Sequence, residues 1–288
     1  MKTLVLGSNG QLGRALAETA PDGVGFVGLD QPSLDIRRAD DVLTVCRKMQ
    51  PAVIINAAAY TAVDQAESET ELAAAVNVDG PRNIAAAAHE VGARLIHIST
   101  DFVFDGEAST PYEPGAETHP LSVYGRTKRD GELAVLDAMS ESAVVLRSAW
   151  LYSRTGGNFV LTMLRLMGER EELSVVSDQR GTPTWTNSLA EAVWGLANRV
   201  DLNGIYHWTD AGECSWHEFA VAIQEEALSL GLLDRSIPIH PITTDEYPTA
   251  AARPRYSVLD CSVTVADLDL QPAPWRVNLR RMLKGMQP

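Results

Sequence analysis

The fold of this chain is indicated first by the segment Thr3-Leu4-Val5-Leu6-Gly7-Ser8-Asn9-Gly10-Gln11-Leu12-Gly13. A short apolar run leads directly into three glycines with G-x-x-G-x-x-G spacing, and a segment with helical periodicity follows. Glycines at this spacing let the backbone turn tightly and bring its N–H groups against a phosphate. The positive end of the helix dipole points to the same place. The segment therefore predicts a dinucleotide-binding turn between a strand and a helix. Its expected cofactor-binding residues are Gly7, Asn9, Gly10, Gln11, Leu12 and Gly13.

Short apolar runs alternate with segments of helical periodicity through the first half of the chain. The runs at 3–6, 25–29, 52–56, 94–99 and 143–147 predict strands, and the segments at 11–20, 39–49, 72–91 and 123–139 predict helices. Several runs are almost entirely apolar, which is typical of strands buried on both faces of a parallel sheet. We therefore expect an α/β fold with a doubly wound, Rossmann-type parallel sheet, whose ligands bind beyond the carboxyl ends of the strands.

The second half of the chain is less regular. Segments at 158–168, 187–199 and 215–229 predict helices, and the last opens with the capping-box pattern of Ser215 and Glu218. Proline-marked loops lie between and after them, and five of the six tryptophans follow residue 150. We expect a dinucleotide-binding domain over residues 1–150. A smaller α/β lobe over residues 151–288 would bind the substrate, with some of its segments returning to the first domain.

Composition narrows the class of protein. The formal net charge of −14 argues against a nucleic-acid partner or an anionic membrane surface. Cys46, Cys214 and Cys261 are scattered and odd in number, so they support neither a disulfide framework nor a zinc site. No apolar run reaches the roughly 18 residues of a membrane span, and no secretory signal is recognisable. We expect a cytoplasmic enzyme or binding protein without a metal ion.

An acidic residue ends the second predicted strand. Asp30 follows the glycine turn at about the 20-residue distance where a carboxylate accepts hydrogen bonds from the adenosine ribose of NAD. The 2′-phosphate of NADP would need a cation instead, and Arg37 and Arg38 are near in sequence. The cofactor is therefore NADPH or NADH, with NADH favoured by Asp30. Asp35 and Ile36 are expected to border the adenine, although a loop aspartate is more often a turn or cap residue.

Three residues have the chemistry of a carbonyl reductase. Tyr124 and Lys128 are four apart in a predicted helix and share one face, and a nearby ammonium lowers a phenol pKa towards the range of efficient proton transfer. Thr100 follows the strand at 94–99, where its hydroxyl can bind a substrate carbonyl. Adjacent strand residues face opposite ways, so Thr100 is preferred to Ser99. The alternatives are an ordinary amphipathic helix face and a threonine that only caps a turn.

An ordered set of motifs resembles the extended short-chain dehydrogenases and, within them, the dTDP-4-dehydrorhamnose reductase family. The motifs run almost from end to end of the chain. They are residues 7–13, 56–64, 99–106, Tyr124-Gly125 with Lys128 and Gly131-Glu132, 147–152, 157–159, 178–184, Ser215-Trp216 and Arg253-Pro254.

The resemblance implies NAD(P)H-dependent reduction of the C4 ketone of dTDP-4-dehydro-L-rhamnose to dTDP-L-rhamnose, with Tyr124 as the proton donor. It implies that Thr100, Tyr124 and Lys128 are catalytic, and that Tyr124 and Lys128 also bind the cofactor. The other residues it assigns are Ala57, Ala58 and Tyr60 at the cofactor, and Val63, Thr100, Asp101, Phe102 and Trp150 at the nucleotide sugar.

Other properties follow from the same resemblance. Some family members are described as magnesium-bridged dimers that use a glutamate where this chain has Ala15, so no metal is expected and both a monomer and a homodimer stay open. Arg180, Arg253 or Arg255 would supply a cation for the substrate diphosphate.

Two other functions stay open at this point. One is a sugar-nucleotide epimerase or dehydratase that retains its NAD, although the dehydratases usually have a glutamate after the Thr-Asp pair and this chain has Phe102. The other is a non-catalytic NAD(P)-binding regulatory subunit, which the complete set of Thr100, Tyr124 and Lys128 argues against.

Overall fold

A six-stranded parallel sheet forms the centre of the computed structural model, which describes residues 1–287. Its strands are β1 (Lys2–Leu6), β2 (Gly25–Leu29), β3 (Val53–Asn56), β4 (Arg94–Thr100), β5 (Ala143–Ser148) and β10 (Gly204–His207). Their order in the sheet is β10-β5-β4-β3-β1-β2, and every neighbouring pair is parallel. The doubly wound parallel sheet predicted from the apolar runs is confirmed.

Helices cover both faces of this sheet because successive strand residues point to opposite sides. Leu4 and Ile54 pack in one buried cluster with α2 (Ala39–Met49), α5 (Gly80–Val91) and α6 (Val123–Met139). Val5 and Ile55 pack in a second cluster with α1 (Gln11–Glu18) and α8 (Thr186–Asn198). The carboxyl ends of the strands are thereby left as the open edge where a ligand can bind.

The helix predicted over 72–91 is interrupted in the structure. It begins earlier, as α4 (Thr70–Ala74), passes through a π-helical turn (Ala75–Asp79), and continues as α5. The turn places Asn77 in the interior, where its side chain accepts from the Tyr60 amide at 2.9 Å and donates to the Thr127 hydroxyl at 3.2 Å. A tertiary contact therefore sets the interruption, and π-turns of this kind are frequent at functional sites.

The second half of the chain builds its own buried cluster and also adds to the sheet. A short helix α3 (Val63–Ala66) precedes α4. The later elements are β6 (Leu151–Tyr152), α7 (Phe159–Glu169), β7 (Leu173–Val176), β8 (Arg180–Gly181), β9 (Thr184–Trp185), β11 (Cys214–Ser215), α9 (Trp216–Ser229), β12 (Ile239–Ile242), α10 (Ser262–Leu268) and α11 (Trp275–Lys284). Helices α7, α9 and α11 share one core, whereas α8 and β10 pack with the main sheet.

The predicted capping box at the start of α9 is present, with Ser215 and Glu218 each bonded to the backbone of the other. Within residues 1–287, every helix falls short of the length and apolarity that crossing a bilayer requires.

Candidate active site

The glycine turn after β1 forms a cradle without side chains. Gly7 has a φ of +80°, which favours glycine, and its amide donates to the Leu29 carbonyl at 3.0 Å. A Cβ on Gly7 would lie 2.6 Å from the Ala58 nitrogen, and one on Gly13 would overlap the Gly7 carbonyl. Gly10 precedes α1 without a side-chain cap, so the first amides of that helix remain available to an anion. These features fit a dinucleotide pyrophosphate.

Replacing Gly13 by alanine is expected to weaken NADPH binding at least tenfold and to lower stability, because the new methyl group overlaps the Gly7 carbonyl and shifts the turn. Gly168→Ala is the matched control, since that helical glycine has open space around it. Cofactor titration by fluorescence measures both variants. Equal affinity in Gly13→Ala and Gly168→Ala would contradict this interpretation of the turn.

A groove of about 460 Å³ lies at the carboxyl ends of β1, β2 and β3. Most of the residues expected at the cofactor line it together: Gly7, Gly10, Asp30, Asp35, Ile36, Ala57, Ala58 and Tyr60. Asn56 supports its floor from below, because its side chain accepts from the Ala58 amide at 3.1 Å and contacts His97 Nδ1 at 3.0 Å.

Two residues of the glycine turn direct their side chains away from this groove. Leu12 is buried in the core under α1. The Gln11 carboxamide oxygen accepts from Ser153 Oγ and Asn158 Nδ2, each at 3.0 Å, and thereby ties α1 to the second half of the chain. Any contact that Leu12 or Gln11 makes with a cofactor at the groove is therefore confined to their backbone, a restriction that the sequence pattern did not indicate.

Opposite charges stand at one rim of the groove. Both oxygens of Asp30 accept backbone amides, from Asn9 at 3.0 Å and from Gln31 at 2.8 Å. Asp35 forms a two-pronged ion pair with Arg37, through Nε to Oδ1 at 2.9 Å and Nη2 to Oδ2 at 2.6 Å, and the guanidinium lowers the pKa of Asp35 to about 2. The carboxylate that suits a ribose and the cation that suits a 2′-phosphate therefore lie on the same groove.

The Thr100 hydroxyl and Tyr124 meet at the end of β4. The Thr100 hydroxyl accepts from the Phe102 amide at 3.2 Å and donates to Asp101 Oδ1 at 3.0 Å, so it caps the turn that follows β4. Tyr124 is half-buried in the first turn of α6, with its ring edge-on to Phe102 at 5.6 Å. Gly125 permits this approach, since a Cβ there would overlap the Phe102 carbonyl.

Burial raises the pKa of Tyr124 to about 12, while the Thr100 hydroxyl opposes this shift. Lys128 is 2 % exposed, and its ammonium donates to the Ile98 carbonyl at 2.7 Å. Burial lowers the pKa of Lys128 to about 8, against the carboxylate of Glu132. The pKa of Tyr124 is therefore raised and not lowered as expected, because burial of the phenol is the dominant cause. The phenol stays protonated at neutral pH.

The residues expected at the nucleotide sugar lie in three places. Asp101 and Phe102 adjoin Thr100, and burial raises the pKa of Asp101 to about 6 while the Ser257 and Thr100 hydroxyls oppose it. Trp150 belongs to an aromatic cluster of the second half and stacks on Trp216 at 3.5 Å between ring centroids. Val63 begins the short helix α3 beside α6. Trp150 also has a φ of +48°, an uncommon conformation for a bulky residue that often marks a functional site.

The three candidate arginines have different partners. Arg253 pairs with Asp64 at 2.7 Å, and Arg180 pairs with Glu213 at 3.0 Å. Within residues 1–287, Arg255 makes no ion pair within 4 Å. A Cβ on Gly106 would lie 2.5 Å from the Arg255 nitrogen, so the Arg255 backbone is close to the loop that follows Thr100.

A buried ion pair lies beneath this site, and no role for its two residues was predicted from the sequence. Glu132 and Arg147 are each 2 % exposed and lie 2.7 Å apart. Both residues stand inside motifs quoted above, and a charged residue in an otherwise apolar strand is a signal that points to such a pair.

Comparisons with known proteins agree with one another over the whole described chain. The family model for the RmlD substrate binding domain matches residues 1–287. A dTDP-4-dehydrorhamnose reductase from Aggregatibacter actinomycetemcomitans is 40 % identical, over 98 % of this chain and 98 % of that protein. The crystal structure of a Bacillus anthracis dTDP-4-dehydrorhamnose reductase in complex with NADP has a TM-score of 0.93 and 38 % identity, with 99 % of each chain covered. A Clostridium acetobutylicum dTDP-4-dehydrorhamnose reductase ortholog has a TM-score of 0.92 and 40 % identity, with full coverage of both chains.

Proposed function

The chain belongs to the dTDP-4-dehydrorhamnose reductase family, and we propose from this premise that it reduces the C4 ketone of dTDP-4-dehydro-L-rhamnose to dTDP-L-rhamnose with NADPH or NADH. The main support for the proposal is the position of the Thr100 hydroxyl and Tyr124 at the end of β4, on the same edge of the sheet as the glycine turn.

NAD(P)H, when bound in the groove, supplies the hydride. Tyr124 donates a proton to the sugar oxygen as that oxygen develops alkoxide character, and its raised pKa keeps the proton in place until then. Thr100 orients the ketone, and Lys128 places a positive charge behind the site from its position on Ile98. General acid catalysis of this kind typically contributes about 10²–10⁴-fold to the rate.

A cation near the turn after β4 supports binding of the substrate diphosphate. The chain has a net charge of −14, so an anionic substrate needs a local cation to overcome the general repulsion. We assign this role to Arg255, because Arg180 and Arg253 are already paired with carboxylates. We expect Asp101, Phe102, Val63 and Trp150 to contact the nucleotide sugar.

The magnesium-bridged dimer of some family members does not fit this chain. Ala15 is buried in α1 and offers no ligand atom at the position where those members have a glutamate. We propose a cytoplasmic protein that acts without metal, as a monomer or as a homodimer formed through other contacts, with a nucleotide sugar as its partner and no nucleic acid.

The loss of NAD(P)H absorbance on addition of dTDP-4-dehydro-L-rhamnose tests the proposal. We expect turnover with both cofactors and a dTDP-L-rhamnose product. An epimerase or dehydratase would instead be purified with tightly bound NAD and would leave added NADPH unconsumed. A regulatory subunit would bind NADPH without turnover, so either result would overturn the proposal.

Arg37→Ala is expected to lower kcat/KM with NADPH by about tenfold, and with NADH by no more than about twofold, because only the 2′-phosphate needs the cation at the groove. Arg38→Ala is the matched control, since Arg38 is the neighbouring arginine and is not among the residues that line the groove. Steady-state kinetics with the two cofactors measures the ratio. An unchanged ratio in Arg37→Ala would show that the 2′-phosphate is bound elsewhere.

A further inference from the structure

Helix α6 and strand β4 are joined by successive pairs of residues at the active site. Tyr124, Lys128 and Glu132 follow one another at four-residue intervals on α6 and so share a face of the helix. The Thr100 hydroxyl acts to lower the pKa of Tyr124, the Lys128 ammonium donates to the Ile98 carbonyl, and the Ser99 hydroxyl donates to Glu132 Oε1. Glu132 therefore anchors α6 one turn beyond Lys128, on the residue that directly precedes Thr100.

Glu132 is itself held by an arginine from the next strand. Arg147 of β5 donates through Nε to Glu132 Oε1 at 2.9 Å and through Nη2 to Oε2 at 2.7 Å. Its guanidinium also lies 5.1 Å from the centre of the Phe104 ring. Apolar residues of similar size often stabilise a core as well as a buried ion pair does, or better. The position of this pair beside the catalytic helix therefore calls for another explanation than stability.

The charges around Lys128 give that explanation. On its own helix it faces the Glu132 carboxylate, and on β4 it faces His97. Tyr124 stands one turn before Lys128 on α6. Burial lowers the pKa of His97 well below its usual value, so this imidazole is neutral. Arg147 is the ion-pair partner of Glu132, and the charge of Asp101 acts to raise the pKa of Tyr124. Glu132 is thus the anion that compensates the buried ammonium.

We propose that Glu132, fixed by Ser99 and Arg147, is a positioning residue of the active site: it docks α6 on β4 and holds a negative charge beside Lys128. This inference rests on the proposed function of Tyr124 and Lys128. Without the Glu132 charge, the Lys128 ammonium would be buried without an anion and would lose its proton at a lower pH.

The chain makes this charge measurable without any turnover, because it contains only four lysines. Lysine labelled with carbon-13 at Cε gives one NMR signal for each, and Lys128→Met identifies the signal of Lys128. In the paired variant Glu132→Gln/Arg147→Met, we expect the titration midpoint of Lys128 to fall by about one pH unit. The alkaline limb of kcat should move down by the same amount, which a purely structural role would not produce.

Ser99→Ala is the matched control, since it removes the hydroxyl that binds Glu132 and keeps both charges. We expect its Lys128 midpoint to stay at the wild-type value. If Glu132→Gln/Arg147→Met does not fold, Glu132→Gln/Arg147→Gln replaces the ion pair by hydrogen-bonding amides and gives the same reading. An unmoved midpoint in a folded paired variant, or an equal fall in Ser99→Ala, would overturn the inference. An inactive wild-type protein would contradict the proposed function alone.

Discussion

Tyr124→Phe is expected to lower kcat by about 10²–10⁴-fold while NADPH binding stays close to the wild-type value. The variant keeps the ring that packs edge-on to Phe102 and removes only the hydroxyl beside Thr100. The sugar alkoxide then has no tyrosine proton to accept. Burial holds the pKa of Tyr124 at about 12, so the wild-type phenol carries its proton across the whole neutral range.

Steady-state turnover and cofactor titration together measure this effect. Tyr206→Phe is the matched control, because the Tyr206 hydroxyl donates to Asp267 at 3.0 Å, outside the groove. We expect Tyr206→Phe to keep wild-type kcat. Near wild-type turnover in Tyr124→Phe would show that another group protonates the sugar oxygen.

Arg147→Met is expected to lower the free energy of unfolding by about 3–5 kcal/mol, because the Glu132 carboxylate then stays buried without its partner. The paired replacement Glu132→Gln/Arg147→Met removes both charges and should recover most of that loss. Urea denaturation of the wild-type protein and both variants completes the comparison. Equal destabilisation in the single and paired variants would show that the cost comes from packing around Arg147 and not from the unpaired charge.

Local sequence patterns predict much of this fold because the sheet is built from short, self-contained signals. The strand at 25–29 and the helices at 39–49 and 123–139 have the predicted bounds in the structure. Each lies in a segment whose own periodicity decides it. The helix predicted at 72–91 does not have its predicted bounds, because a π-turn interrupts it. Contacts of Asn77 with Tyr60 and Thr127, which are distant in sequence, set that turn.

The same distinction holds at the active site. The alternation of strand residues puts Ser99 and Thr100 on opposite faces of β4, and this much is visible in the sequence. The contact of Ser99 with Glu132 is visible only in the structure. The direction of the Gln11 side chain and the pairing of Glu132 with Arg147 depend on the second half of the chain and on a neighbouring strand. The pKa of Tyr124 depends on burial, which spacing alone does not fix. The roles of the site residues, and the domain boundary at residue 150, stay predictions.

Reduction of the sugar ketone by NADPH moves one hydrogen from the nicotinamide to C4 of the sugar, and the final position of that hydrogen can be measured. The protein is incubated with dTDP-4-dehydro-L-rhamnose and NADPH that carries deuterium at both C4 positions of the nicotinamide, and the sugar is followed by NMR and mass spectrometry. We expect dTDP-L-rhamnose with deuterium at C4 of the sugar, formed in proportion to the NADPH consumed. Unchanged substrate, or a product without deuterium at that carbon, would contradict the account.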